Sequence, residues 1–360
     1  MPPKPRRHVG RLEPYEWEAM ASDVAAEAGI RESEVVRFDT NTTAWPPVAW
    51  EQTVLDLPRT PVNEYPHPSN EPLRSGLARH LGVTPEQVVV TSGADEALHL
   101  LASVYLGPGR KAVVADPSFS MFRVVTEIAG GSLIKVAVDA DWDLPRGALL
   151  EAVKQPRVGV VWLCSPNNPT GRLLDARLVA EVAEHVSDAV VAVDEAYYEI
   201  AGQTVMGAID HANVVVVRTF SKGYGLAGAR VGYIVGQPEV TQAIGNVRAP
   251  QNLTAFSIVA ACRALADQAG LAERVAAIKH ERERLSSELQ QRGWEVVPSV
   301  ANFVLARPPQ PASQVARWLQ GGGLIVRSYP SHPRLKDWLR VTVRAPEEDD
   351  RLLARLTTLP

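Results

Sequence analysis

Cysteine is scarce: Cys164 and Cys262 are the only two in 360 residues and stand far apart in sequence. A disulfide framework or a thiolate metal site is therefore not expected. The eight histidines are scattered without ligand-like spacing, so no metal is expected either. No stretch approaches the ~18–20 apolar residues of a membrane span. Neither charge sign dominates, 37 Lys and Arg against 41 Asp and Glu leaving −4. Without a basic block, that balance argues against nucleic acid or an anionic membrane as partner. The short Lys4, Arg6, Arg7 cluster has no apolar run behind it and does not read as a signal peptide. Asn41-Thr42-Thr43 and Asn252-Leu253-Thr254 match the glycosylation sequon and read as chance. Repeats and low-complexity segments are missing too. The expectation is a cytoplasmic, soluble, enzyme-sized protein.

The chain does have apolar residues, 46% of it, enough to bury a large domain and a smaller one. From about residue 87 onward, valine-rich runs alternate with helix-period segments: 87–91 then 95–106, 112–115 then 118–129, 132–138 then 146–155, 158–163 then 174–187, and then 190–193 and 214–217. Continuous apolar runs separated by helices predict a parallel sheet covered on both faces, a doubly wound α/β domain. After Gly236 the character changes. Helices are predicted at 238–247, 253–266, 271–291, 311–319 and 347–356, with short strands near 294–297, 302–306 and 339–343. Strands and helices without strict alternation fit a smaller α+β domain. Residues 1–45, with one predicted helix at 17–28, cannot bury a core alone and are expected to dock on that domain. The expected division is 1–45, 46–250 and 251–360.

The densest chemistry lies in Thr219-Phe220-Ser221-Lys222-Gly223-Tyr224-Gly225-Leu226-Ala227-Gly228-Ala229-Arg230. A lysine at the mouth of a buried strand is costly unless its amine is used. Pyridoxal phosphate uses it: the aldehyde condenses with the ε-amine, and the phosphate wants a hydroxyl, backbone N–H groups and a guanidinium. Ser221 and Arg230 supply the first and last. The same glycines match the dinucleotide fingerprint, but that fingerprint must open a helix. Residues 229–236 read as a strand instead, so a nicotinamide cofactor is the weaker reading.

Ligands of open parallel sheets bind beyond the carboxyl ends of the strands. Four such ends carry polar groups. One is Ser92-Gly93-Ala94-Asp95-Glu96, a glycine turn opening a helix, where N–H groups and the helix dipole suit a phosphate. The others are Ser165 to Gly171, Asp194-Glu195-Ala196-Tyr197, and Ser221-Lys222. Singly each reads as a turn or cap; together they read as one site. A pyridoxal ring needs a buried carboxylate at its nitrogen, and Asp194 is the candidate. Asn168 and Tyr197 would serve its 3-oxygen, and Phe119 would cover one face, although for Phe119 alone ordinary core packing is the stronger reading.

On these motifs the chain resembles fold-type I pyridoxal phosphate enzymes of the class I/II aminotransferase group, and within it the histidinol-phosphate aminotransferases. The likeness runs from about Pro14 to the C-terminus and includes Tyr65-Pro66, Ser299 to Phe303 and Leu339 to Val343. It implies an amino donor and a 2-oxo acid acceptor as small-molecule partners. It also implies a homodimer in which Tyr65 reaches the neighbour's cofactor phosphate. Arg340 would clamp a carboxylate, with Arg327 at the matching second-cation position; Arg334 and Arg344 are candidate helpers by their nearness in sequence. Tyr15 and Asn41 fall in segments that meet substrate in the family, and both segments depart from its pattern. Pro14-Tyr15-Glu16-Trp17-Glu18 loses a glycine and a base, and Pro46 stands at a glycine position, where it offers no N–H. An aromatic or broad-range aminotransferase, a threonine-phosphate decarboxylase-like enzyme and a non-catalytic cofactor-binding regulator remain as alternatives.

Overall fold

The computed structural model describes residues 8, 9, 12, 17–47, 63–186 and 188–359. Two sheets organise them. The larger has seven strands: β2 (Val88–Thr91), β3 (Lys111–Asp116), β4 (Ser132–Ala137), β5 (Val158–Cys164), β6 (Val190–Asp194), β7 (Val214–Thr219) and β8 (Gly232–Gly236), in the order β2-β8-β7-β6-β5-β3-β4. Strands β4, β3, β5, β6 and β7 run parallel. Strand β8 is antiparallel to both neighbours, which returns β2 to the common direction.

The valine runs explain this sheet. Every residue of β5, β6, β7 and β8 is buried. Because side chains alternate across a strand, each run feeds two cores. Val161, Leu163, Val191, Val193, Val214 and Val216 face one, packed by helices that include Leu73–Leu81 and Ala255–Ala266. Val160, Trp162, Val190, Ala192, Val215 and Val217 face the other, under the helices Gly93–Tyr105 and Ser120–Ile128. There Trp162 stacks on Phe122 at 5.4 Å and donates its indole N–H to Thr126 Oγ1 at 3.0 Å. This is the doubly wound α/β fold.

The smaller sheet joins β1 (Val36–Phe38), β9 (Glu295–Val297), β10 (Phe303–Arg307), β11 (Leu324–Ser328) and β12 (Leu339–Thr342) in the order β1-β11-β12-β10-β9. β1 pairs in parallel with β11, while the other pairs are antiparallel. The helix Ala312–Gln320 and the long helix Gln268–Gln291 pack on it through Val315, Leu319, Leu285 and Leu289. The first described helix spans Ala21–Ala28 rather than 17–28. Met20, its N-cap, makes no side-chain cap bond, and residues 17–20 run on as irregular chain against the smaller sheet. No described helix is long and apolar enough to cross a membrane, and no group of His, Cys, Asp and Glu among the described residues is placed to hold a metal.

Candidate functional site

The carboxyl ends of β2, β3, β5, β6 and β7 meet the smaller sheet at one cavity of about 260 Å³. Lys222, Asp194, Tyr197, Asn168, Ser221, Arg230, Ala94, Asp95, Phe119, Asn41, Arg327 and Arg340 all line it, so twelve residues singled out in sequence converge there. Gly93 lies just behind, at the start of the helix Gly93–Tyr105. Tyr65 is elsewhere, 87% exposed. Tyr15 lies outside the described residues. After Lys222 the glycines lead through a single 3-10 turn, Ala227–Ala229, into strand β8 and not into an α-helix, so the dinucleotide fingerprint lacks its structural context.

The β-strand alternation sorts the acidic pair at the end of β6. Asp194 points into the cavity, where its Oδ1 accepts the Ala196 N–H at 2.9 Å. Burial, opposed by that N–H, raises its pKa to about 7. Glu195 points the other way and pairs with buried Arg218 at 2.8 Å. Lys222 is held from the neighbouring strand end, its Nζ 3.2 Å from the Thr40 carbonyl oxygen. Burial and then Arg340 lower its pKa to about 7, with Arg230 adding to the fall and Asp95 and Asp194 opposing it. A neutral amine near pH 7 is what nucleophilic attack on an aldehyde needs.

One end of the cavity is built for an anion. Arg230 reaches Ser221 Oγ at 3.4 Å and pairs with Asp95 at 3.0 Å, at the N-terminus of the helix Gly93–Tyr105. That pair is about half exposed (46% and 49%). Gly93 has φ +75°, and a Cβ there would stand 2.4 Å from Arg230 Nη2. One on Gly232 would meet the Gly93 carbonyl carbon at 2.6 Å. Gly232 is thus required by close approach to backbone, and Gly93 by its positive φ, since Arg230 could shift its side-chain end.

The opposite wall carries Arg340 and Arg327, which are Cα partners across the antiparallel pair β11–β12. Arg340 Nη1 donates to Asn168 Oδ1 at 2.7 Å and Nη2 to the Asp39 carbonyl, leaving a buried Nε without a partner among the described residues. Arg327 lies 3.6 Å from Glu18 Oε1. Asn41, at φ +53°, donates from Nδ2 to Tyr197 Oη at 3.0 Å. Tyr197 in turn packs edge-on against Phe303. A second cavity of about 360 Å³ shares Phe119, Asn168, Arg327 and Arg340 with the first, giving a substrate tail somewhere to extend.

The two helper arginines serve elsewhere. Arg334 donates to the Val138 and Asp139 carbonyls and covers the Trp142 ring at 4.4 Å. Arg344 is tied to Glu348 and to the Thr42 carbonyl. Neither lines the central cavity. Glu18, Asp39, Thr40 and Cys164 line it too without having been singled out as site residues, as do Thr42 and Thr219, which stand in the Asn41-Thr42-Thr43 and Thr219–Arg230 stretches. Glu18 falls in the Pro14–Glu18 segment that departs from the family pattern.

A lysine with a lowered pKa faces a buried aspartate, beside an anion cradle and below two arginines. Such a site on a doubly wound sheet defines a pyridoxal phosphate enzyme, and the residues present fit that cofactor at its phosphate, ring nitrogen and aldehyde ends. The model of the family "Aminotransferase class I and II" matches residues 33–356, and the chain belongs to that family. It is similar to a histidinol-phosphate aminotransferase of Caldanaerobacter subterraneus subsp. tengcongensis, with 37% identity over 82% of this chain and 84% of the relative. Histidinol-phosphate aminotransferase 2 of Cupriavidus pinatubonensis is 36% identical over 89% of each chain. Among solved structures, histidinol-phosphate aminotransferase from Sinorhizobium meliloti in complex with pyridoxal-5'-phosphate superposes with a TM-score of 0.89 at 28% identity, covering 98% of this chain and 96% of that one. As a class I and II aminotransferase, the protein is a pyridoxal-phosphate-dependent enzyme.

Proposed function

We propose that the enzyme transfers the amino group of histidinol phosphate to a 2-oxo acid, 2-oxoglutarate being the expected acceptor. The observation that carries this reading is the Arg327–Arg340 cross-strand pair on the wall of the lysine cavity. Both guanidiniums line the cavity, and Arg340 is anchored only by neutral partners with a buried Nε unpaired among the described residues, so this wall suits anionic occupants. Guanidinium forks suit the phosphate of the donor and the carboxylates of the acceptor alike. The names of the relatives point to the same donor.

Each residue then has a task. Ser221, Arg230 and the N–H groups opening the helix Gly93–Tyr105 hold the cofactor phosphate. Asp194 keeps the pyridine nitrogen protonated. Asn168 and Tyr197 serve the ring's 3-oxygen, and Phe119 covers one ring face. Bound pyridoxal phosphate supplies the electron sink and carries the amino group between donor and acceptor. Lys222, whose amine is close to neutrality at pH 7, would serve as the general base and acid that moves the proton at the substrate's amine-bearing carbon. Arg340 orients the acceptor carboxylate throughout.

The same reading makes the active unit a cytoplasmic homodimer. Exposed Tyr65 supports it, as does an apolar cavity of about 720 Å³ that shares Arg230 with the phosphate end and is lined by Trp45, Pro46, Leu226 and Phe256. Sedimentation at a single chain's mass would remove the dimer. The visible spectrum tests the reaction. A yellow band that histidinol phosphate bleaches and 2-oxoglutarate restores is the expected result. A band that ignores histidinol phosphate but responds to phenylalanine or threonine phosphate would replace the donor.

A further inference from the structure

The two arginines on the cavity wall are not equivalent, and the difference comes from the N-terminal segment. Arg340 is anchored by neutral partners, Asn168 Oδ1 and the Asp39 carbonyl. Arg327 faces a carboxylate. Glu18 lies on the irregular stretch before the helix Ala21–Ala28, and its Oε1 accepts the Ser328 N–H at 2.8 Å and the Ser328 hydroxyl at 3.2 Å. The same oxygen stands 3.6 Å from Arg327 Nη1. Both side chains are largely withdrawn from solvent (13% exposed for Arg327, 19% for Glu18), and both line the cavity that holds Lys222. Arg37, a further cation whose charge Glu18 feels, is engaged by Asp39 at 2.6 Å.

We propose that Glu18 is a specificity-determining residue: it is the built-in counter-ion of Arg327, seated where the charged tail of a substrate would meet that arginine. A reactant with a neutral tail leaves the Glu18–Arg327 pair in place and engages Arg340 alone. One with an anionic tail, a phosphate or a distal carboxylate, must crowd or displace the Glu18 carboxylate to share Arg327. Because the pair is mostly enclosed, solvent screens this competition weakly. Glu18 therefore lowers the affinity for doubly anionic reactants and narrows the gap between them and neutral-tailed ones, which also eases release of the dianionic acceptor's product.

A merely structural role is the competing account, since Glu18 also caps the Ser328 N–H. Glu18→Gln separates the two. The amide oxygen still accepts from Ser328, but the charge beside Arg327 is gone. The inference rests on the proposed substrate cavity, not on the donor's identity, so the probes are unreactive: glutarate, with two carboxylates, against pentanoate, with one carboxylate and the same carbon count. Binding to the holoenzyme is read from calorimetry and from the shift of the cofactor band. Glu18→Gln should tighten glutarate about tenfold, as one weakly screened charge would, leave pentanoate within about twofold, and leave the melting temperature unchanged. Should the Gln variant melt early, Glu18→Asp, whose shorter arm withdraws the carboxylate, is judged by the same contrast. An unchanged glutarate constant, equal shifts for both acids, or no glutarate binding to either protein would overturn the proposal. Failure of histidinol phosphate to bleach the band would remove that donor without touching this contrast.

Discussion

Lys222 Nζ lies 3.2 Å from the carbonyl oxygen of Thr40, so the lysine of the larger sheet is held by the segment that follows β1 of the smaller one. A neutral carbonyl steadies the amine without restoring the solvation that burial removes. The amine is thus half neutral at about pH 7, instead of above 10. Uptake of pyridoxal phosphate by the apoenzyme should accelerate with pH, with a midpoint near 7, and level off above 8. Stopped-flow absorbance at fixed cofactor concentration checks this. A rate still climbing at pH 9 would show an ordinary lysine.

The same two groups give the apoenzyme an unusual stability profile. Asp194 has its pKa raised from 3.8 to about 7, so the stability it contributes is full below about pH 4 and is lost as pH rises through 7. Lys222 has its pKa lowered from 10.5 to about 7, so its contribution is full above about pH 10.5 and is lost as pH falls through 7. Both losses meet near neutrality. The apoenzyme should be least favoured by this pair at about pH 7. Relative to wild type, apo Lys222→Met should gain more melting temperature at pH 6 than at pH 10, and apo Asp194→Asn more at pH 8 than at pH 4. Equal differences across pH would contradict the assignment.

How far the sequence announced all this depends on where the information lay. β5, β6 and β7 were legible because their fully buried valine runs have no other use. Lys222, Asp194 and Asn168 were legible because each follows such a run. The smaller sheet was harder. β1 has three residues and is held by parallel pairing with β11, near the other end of the chain, and no local pattern encodes such a partner. β11 itself was not anticipated as a strand although it carries Arg327. The helix Leu73–Leu81 was likewise not anticipated. The contact of Glu18 with Ser328 joins segments 310 residues apart and is a tertiary fact only. Arg334 and Arg344 show the converse error. Nearness in sequence suggested help at the site, but Arg334 is spent on backbone carbonyls and Arg344 on Glu348, four residues further along.

Gly93→Ala tests the phosphate cradle. A Cβ at 2.4 Å from Arg230 Nη2 cannot coexist with the present guanidinium position, and φ +75° is strained for alanine as well. Arg230 must withdraw from Ser221, so cofactor retention should fall at least about tenfold while Lys222 keeps its position. Equilibrium dialysis of pyridoxal phosphate reads the loss. Retention equal to wild type would mean that Arg230 does not hold the phosphate.

Arg340 separates charge from geometry. Its Nη1 and Nη2 each give one N–H to Asn168 Oδ1 and the Asp39 carbonyl, and its buried Nε–H has no partner among the described residues, so the fork keeps donors for a carboxylate. A lysine keeps the charge but cannot hold both anchors and still present a directed donor. Arg340→Lys should therefore weaken glutarate by roughly ten- to a hundredfold, while the pH midpoint of cofactor uptake stays near 7. Arg340→Gln removes the charge that helps depress Lys222, so in that variant glutarate weakens and the midpoint also moves up. The contrast is diagnostic because one variant shifts binding alone and the other shifts binding and proton affinity together. If both variants left the midpoint untouched, burial with Arg230 would account for the lowered pKa of Lys222, and Arg340 would act on substrate only.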